Sequence, residues 1–126
     1  MIYGIGVDIM DIARLETLRG KYDDPFFVKT FTDSERSAAL RRRDPIRYFA
    51  KRFAAKEAVF KALNGRPDAF RFNEIETLND ERGQPYVVLY GETRKFQELA
   101  GIGHIHISLS DDGGFVIAYA VCETFS

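Results

Sequence analysis

Asp8 in the opening "IYGIGVDI", with Glu57 and Lys61 in "RFAAKEAVFKAL" (residues 52–63), are the side chains of this sequence best suited to chemistry on a phosphate. Glu57 and Lys61 stand four apart and share one edge of a helix. By themselves they describe a surface ion pair, an interaction that contributes less than ~1 kcal/mol. A second carboxylate opens another reading. Mg²⁺ is commonly held by one or two carboxylates together with substrate phosphates, and Asp8, on a strand face otherwise lined by glycine, is the candidate to join Glu57. The spacing leaves both readings open.

Arg52 and Lys56 complete the charges of this segment. Five residues turn a helix by about 140°, so Arg52 falls on the opposite edge from Glu57, and one chain does not readily bring both to a single bound group. Phe49, Phe53, Phe60 and Leu63 form an apolar stripe with Lys56 inside it. Lys56 must therefore snorkel to water or meet a carboxylate. Ala50, Ala54 and Ala58 lie beside Glu57, where small side chains leave room for a ligand. In "HIHISLS", His106, Ser108 and Ser110 share a strand face with His104 and offer donors to phosphate or hydroxyl groups, or simply face solvent. One cysteine and two histidines on one strand cannot close a tetrahedral zinc shell. "GIG" lacks the continuation of a dinucleotide loop, and no Walker loop is present.

The elements that would position these groups are punctuated clearly. In the first strand Tyr3, Ile5, Val7 and Ile9 alternate with Gly4, Gly6 and Asp8. Two glycines on one face predict a close approach, by a ligand or by a packed helix. Asp11 is expected to cap a helix carrying Ile12, Leu15 and Leu18 and ending near Gly20. "DDPFFVKTF" reads as a short helix or turn. Thr32 and Glu35 have capping-box spacing, a sufficient structural role for Glu35. Asp44 and Pro45 open the long helix, which runs to Asn64 and Gly65. "FNEIETLN" and "PYVVLYG" flank the turn-rich "DERGQP" and predict a hairpin. "ETRKFQELAG" predicts a helix with Phe96 and Leu99 inward, and "FVIAYAVCE", apolar on both faces, a central strand. Strands and helices in this order give an α+β fold, an antiparallel sheet packed against helices, in a single domain spanning residues 1–126.

Composition excludes several classes. The chain has 126 residues, 45% hydrophobic and 29% charged, with a net charge of −1. These are values of an ordinary globular protein, without a global pull toward nucleic acid or membrane. The basic run "RRRDPIRYFAKR" lacks the interleaved aromatic pattern of a nucleic-acid groove. No apolar run approaches the ~20 residues of a membrane span. "MIYGIGVDIM" lacks a basic lead and contains Asp8, so no secretory signal is expected. The lone Cys122 excludes an internal disulfide and fits a cytoplasmic setting.

"GIGVDIMDIAR", "FTDSE", "RFAAKEAVFKAL", "GQP" and "HISLS" follow one another along nearly the whole chain. In order and spacing they resemble the holo-acyl-carrier-protein synthases, the small bacterial-type 4′-phosphopantetheinyl transferases. The resemblance implies that fold and a Mg²⁺-dependent transfer of phosphopantetheine from coenzyme A to a serine of an acidic acyl carrier protein. It also implies adenosine 3′,5′-bisphosphate as the second product and a place in fatty acid biosynthesis. It implies a homotrimer with coenzyme A in clefts between subunits. Asp8 and Glu57 would bind Mg²⁺ and pyrophosphate, with Glu57 as base, and Lys61 would contact the pyrophosphate. Arg52 and His106 of a neighbouring subunit would hold the nucleotide end, with Pro85 of "GQP" also on the coenzyme. Arg14 and Lys21, helped by Arg19, would dock the carrier. A non-catalytic coenzyme A binder would need Arg52 and His106 but not Asp8 and Glu57. One position departs from the pattern: "SLS" is followed by Asp111 where the family usually has histidine. No site role carries over to Asp111, which is expected to cap the turn before Gly113 and Gly114.

Overall fold

The computed structural model describes residues 1–64 and 70–125. Strand β1 (Ile2–Asp11) leads into a 3₁₀ segment (Ile12–Leu18), then helices α1 (Pro25–Thr30), α2 (Asp33–Leu40) and α3 (Pro45–Ala62). A 3₁₀ turn (Phe72–Glu74) precedes the hairpin β2 (Ile75–Asn79) and β3 (Pro85–Leu89); α4 (Gly91–Leu99), β4 (Ile102–Asp112) and β5 (Phe115–Thr124) complete the chain. The expected antiparallel α+β architecture is present. β5 is the central strand of a three-stranded sheet ordered β1-β5-β4, and β2 pairs with β3 in a separate ladder.

Helix α3 lies across one face of the larger sheet. Val116, Ala118, Ala120 and Cys122 of β5 are buried beneath it, and burial pushes the Cys122 thiol up to about 12. On β1 the same face carries Gly4 and Gly6. A Cβ on Gly6 would overlap the carbonyl oxygen of Ala58, and one on Gly4 that of Ala62. The glycines therefore accommodate helix backbone rather than a ligand. This also corrects the reading of Ala50, Ala54 and Ala58: all three are fully buried. Their small side chains let α3 settle on the strands, and the room they leave is filled by β1.

The caps follow the sequence. Asp24 accepts from Phe26 N at 2.9 Å ahead of Pro25, and Asp44 accepts from Arg47 N at 3.4 Å ahead of Pro45. Thr32 and Glu35 form the complete capping box. Past α3, Asn64 takes the left-handed conformation, φ 56°, whereas Gly65 lies outside the described residues. The segment after Asp11 departs from expectation in kind, being 3₁₀ rather than α-helical. Ile12, Leu15 and Leu18 repeat strictly every third residue, which is the 3₁₀ period and aligns them on one face. In α4, Phe96 packs inward but Leu99 is 90% exposed. The inward stripe is Thr93, Phe96 and Ala100, and Leu99 falls to its side.

Lys56 meets a carboxylate. Its Nζ lies 2.7 Å from Glu35 Oε1 and donates to the carbonyls of Phe72 and Ile75. The other Glu35 oxygen accepts from Thr77 N at 2.8 Å. One buried ion pair thus ties α2 and α3 to the hairpin. Among the described residues nothing covers the opposite face of the large sheet. Ile5, Val7, Ile9, Phe115, Ile117 and Tyr119 are each between 43% and 62% exposed there.

Candidate active site

The packing of β1 against α3 sets the candidate site. Asp8 follows Gly6 by two residues and so points to the same side, where α3 presents Glu57 and Lys61. Lys61 Nζ lies 2.9 Å from the Val7 carbonyl and 3.6 Å from Asp8 Oδ1. The structure therefore brings Asp8, Glu57 and Lys61 together as expected. Partial burial pushes both carboxyl groups above their ordinary ranges. For Asp8 the charge and hydrogen bond of Lys61 offset part of the rise, and for Glu57 the negative charge of Asp8 adds to it. Arg14 pulls both back down. The 3₁₀ segment after β1 consequently delivers Arg14 to the rim of this cluster, a proximity that the sequence reading did not assign.

Among the described residues no group of three or more His, Cys, Asp or Glu side chains could hold a metal ion. Asp8 and Glu57 offer two hard oxygen donors, and their mutual repulsion is relieved by a cation. This donor set fits Mg²⁺ completed by water and substrate phosphate, and does not fit an all-protein cage.

Arg52 is placed differently from expectation. It lies on the edge of α3 away from Glu57, but its side chain is 2% exposed and hydrogen-bonded to Asn79. Its guanidinium carbon stacks 4.5 Å from the centre of the Tyr48 ring, and Arg42 lies 4.8 Å from the same ring. Arg52 Nε and Nη1 have no hydrogen-bond partner among the described residues. The Arg52 partners Tyr48 and Asn79 line a cavity of about 450 Å³, together with Ser34, Arg41, Arg42 and Tyr86 among others. Pro85 stands opposite Asn79 in the hairpin, which links it to the Arg52 side of the molecule. Tyr48 and Asn79 were not singled out from sequence. The basic run before α3 was the only local signal of this cavity.

His106 projects from the uncovered sheet face, 3.0 Å from Glu123, with the His104 ring 5.9 Å away. Its hydrogen bond holds the Glu123 carboxyl below the ordinary range. α3 packs on the other face, so His106 and Arg52 lie on opposite sides of the sheet. Arg19 is engaged with Glu16 at 2.8 Å and Asp44 at 3.0 Å, leaving Arg14 and Lys21 as the cations of that edge without an ion-pair partner among the described residues.

Asp111 is not a turn cap. β4 continues through it, and it bridges Arg47 at 2.6 Å and Lys51 at 3.3 Å. Partial burial pushes its carboxyl up, but the hydrogen bonds of these two cations outweigh that and hold it below the usual range. Its strand position faces α3, and the two cations recur one turn apart along that helix.

Residues 4–120 match the family model of the 4′-phosphopantetheinyl transferase superfamily. A holo-[acyl-carrier-protein] synthase of Geobacter sp. (strain M21) is 39% identical over 124 residues, covering 98% of this chain and 99% of the relative. The crystal structure of the holo-[acyl-carrier-protein] synthase of Neisseria meningitidis is 36% identical, with a TM-score of 0.89 over 98% of this chain and 100% of that one. The Bacillus anthracis synthase in complex with CoA (3′,5′-ADP) is 31% identical, with a TM-score of 0.79 over 99% of both chains. The family model and these relatives cover nearly the whole chain, and the chain belongs to the holo-[acyl-carrier-protein] synthase family of the 4′-phosphopantetheinyl transferase superfamily.

Proposed function

We propose that this protein transfers the 4′-phosphopantetheine group of coenzyme A to a serine of apo acyl carrier protein, releasing adenosine 3′,5′-bisphosphate. The observation that carries the reading is the meeting of Asp8, Glu57 and Lys61 where β1 crosses α3, with both carboxyl groups raised by burial. A purely nucleotide-binding module has no use for two half-buried carboxylates beside a lysine.

The serine oxygen attacks the β-phosphorus of coenzyme A. The new P–O bond forms as the pyrophosphate P–O bond breaks, and the bisphosphate leaves with the bonding electrons. Glu57, directly or through a water, accepts the serine proton; a carboxyl group raised above its ordinary range is better matched to that task at neutral pH. Lys61 lies against the pyrophosphate and offsets charge growing on the leaving oxygen. Asp8 and Glu57 would hold Mg²⁺, which when bound supplies charge stabilisation to the phosphate oxygens. Arg14 and Lys21 present a positive edge beside the cluster to an acidic carrier, so association is expected to weaken with salt.

Association of copies, as in the expected trimer, is supported by the uncovered sheet face, where Ile5, Val7, Ile9, Phe115, Ile117 and Tyr119 are exposed side by side. His106, Ser108 and Ser110 share that face with Val121, Tyr119 and Ile117 in register. A neighbouring copy would therefore meet His106 directly. Arg52, Asn79 and Pro85 would act from the other side of the same subunit, with Arg52 reaching the nucleotide through the cavity beside Tyr48. The direct test mixes the protein with coenzyme A and apo carrier, with and without chelator, and reads the carrier mass. An increase by one phosphopantetheine group that chelator abolishes is the expected result. An unmodified carrier with Mg²⁺ present refutes the reading.

A further inference from the structure

Among the described residues, the hydrogen bond from Arg19 to Asp44 is the only one that ties residues 13–23 to a distant part of the chain. The guanidinium grips Glu16 with two prongs, Nε to Oε2 and Nη2 to Oε1, at 2.8 Å each. Its Nη1 donates to Asp44 Oδ1 at 3.0 Å. Asp44 caps α3, and the same oxygen accepts from Arg47 N. Arg47 in turn bonds Asp111 at 2.6 Å and the Gly113 carbonyl at 3.3 Å, while Ile12 N donates to the Gly114 carbonyl at 2.8 Å. The 3₁₀ segment, the turn between β4 and β5 and the start of α3 thus form a circuit that Arg19 closes. We infer that Arg19 is a positioning residue, which holds the carrier-docking edge on α3 and does not itself touch the carrier. The inference rests on the proposed function.

The need for such a link follows from burial. Ile12 and Leu15 anchor the first half of the segment in the core, but from Glu16 to Phe26 no side chain is fully buried. Tyr22 rests its ring near Phe49, 5.8 Å between centres. Gly20 bends the stretch through a left-handed conformation, φ 81°, one residue before Lys21. Chain with so little apolar cover opens locally at low cost, and Lys21 would then lose its place on the same edge as Arg14. An exposed ion pair ordinarily contributes little, but a two-pronged arginine within a network is the exception. Arg19 has that geometry, and its hydrogen bond holds the Glu16 carboxyl below the ordinary range. One cation between two carboxylates leaves this trio net negative, which gives an acidic carrier nothing to bind.

Three variants separate positioning from direct docking. Each is assayed for carrier modification and, without either substrate, for backbone hydrogen exchange. Arg19→Met breaks both bonds. Arg19→Lys keeps the charge but cannot reproduce the fork. Asp44→Asn keeps an equally good cap for α3 and removes the charge that receives Arg19. In each, the KM for carrier protein is expected to rise roughly three- to fivefold, the range open to an exposed ion pair, with kcat and the KM for coenzyme A unchanged. Exchange over residues 16–24 of the free protein is expected to quicken by a similar factor. A direct docking role predicts otherwise: Arg19→Lys stays at the parental KM, and Asp44→Asn, which frees Arg19 and removes a charge that repels the carrier, lowers it. Either result overturns the inference. Equal KM rises for both substrates, an unchanged carrier KM, or unchanged exchange in Arg19→Met overturn it as well. A parent protein that leaves the carrier unmodified removes the proposed function and the carrier role with it, whereas quickened exchange still shows Arg19 holding the segment.

Discussion

Lys56 and Glu35 face each other at 2.7 Å with both side chains wholly out of solvent, and between them they join two helices to the hairpin. Burial pushes the lysine down from its ordinary value, and the neighbouring carboxylate restores part of that loss. Lys56 immediately precedes Glu57, so the pair sets the seating of α3 from which the candidate site projects. Removing one member leaves the other charge buried and uncompensated. Lys56→Met or Glu35→Gln should each lower stability by about 3–5 kcal/mol, measured by urea denaturation. The double variant should cost less than the sum of the two, because the charges are coupled. Strict additivity would show that the pair is not acting as a unit.

Glu57→Gln and Asp8→Asn should abolish transfer while leaving the folded protein as stable as the parent, or more so, at neutral pH. Each carboxyl is raised in the folded state, chiefly by burial. Such a group favours folding below its unfolded pKa, where it is protonated in both states, and that contribution is lost as pH rises through the folded value. The ionised forms therefore destabilise the protein at pH 7, and the neutral amides do not. The gain in Tm should shrink as pH falls from above the raised folded values toward the ordinary carboxylate range, below which the groups are protonated in both states. A gain that grows under acid contradicts the assignment of raised carboxyls, and near-normal transfer contradicts their place in the reaction.

Arg14→Glu should raise the KM for carrier protein more than that for coenzyme A. Arg14 stands close enough to influence both site carboxyls while remaining exposed. The reversal places negative charge where an acidic partner must dock, and the difference should diminish as added salt screens it. Equal effects on the two substrates remove the first 3₁₀ segment as the docking edge.

Shared sites can be tested by mixing subunits. Arg52 is buried and helps hold the hairpin through Asn79, so its removal confuses folding with function. His106 is exposed and makes the cleaner partner for the experiment. His106→Ala and Glu57→Gln, each impaired alone, should regain activity when mixed under conditions in which native mass spectrometry confirms exchange. One chain then supplies His106 and another Glu57 to an intact cleft. No recovery with exchange confirmed would confine the site to a single chain.

Much of this protein was legible locally. Capping residues at Asp24, Thr32 and Asp44, the hairpin turn and the apolar strand β5 act over a few residues, so their signals lie in short stretches of sequence. Asp8 and Glu57 could be named as a pair because Asp8 stands on a glycine-lined strand face and Glu57 shares a helix edge with Lys61, and because the family resemblance points to the same two residues. The sequence also carried the period of the 3₁₀ segment in Ile12, Leu15 and Leu18, although it was read as an α-helix.

Tertiary contact decided what local pattern could not. Alternation along β1 separates glycines from large apolar residues but does not say which face a helix covers; the approach of α3 to Gly4 and Gly6 settles that, and leaves Ile5, Val7 and Ile9 uncovered. Helical angles placed Arg52 on an edge, yet the hairpin that buries it begins more than twenty residues later in the chain. Asp111 follows a strand and precedes two glycines, and only the crossing of α3 over β4 supplies Arg47 and Lys51 as its partners. Period and capping are properties of neighbours in sequence, whereas burial and pairing depend on segments that meet only when the chain has folded.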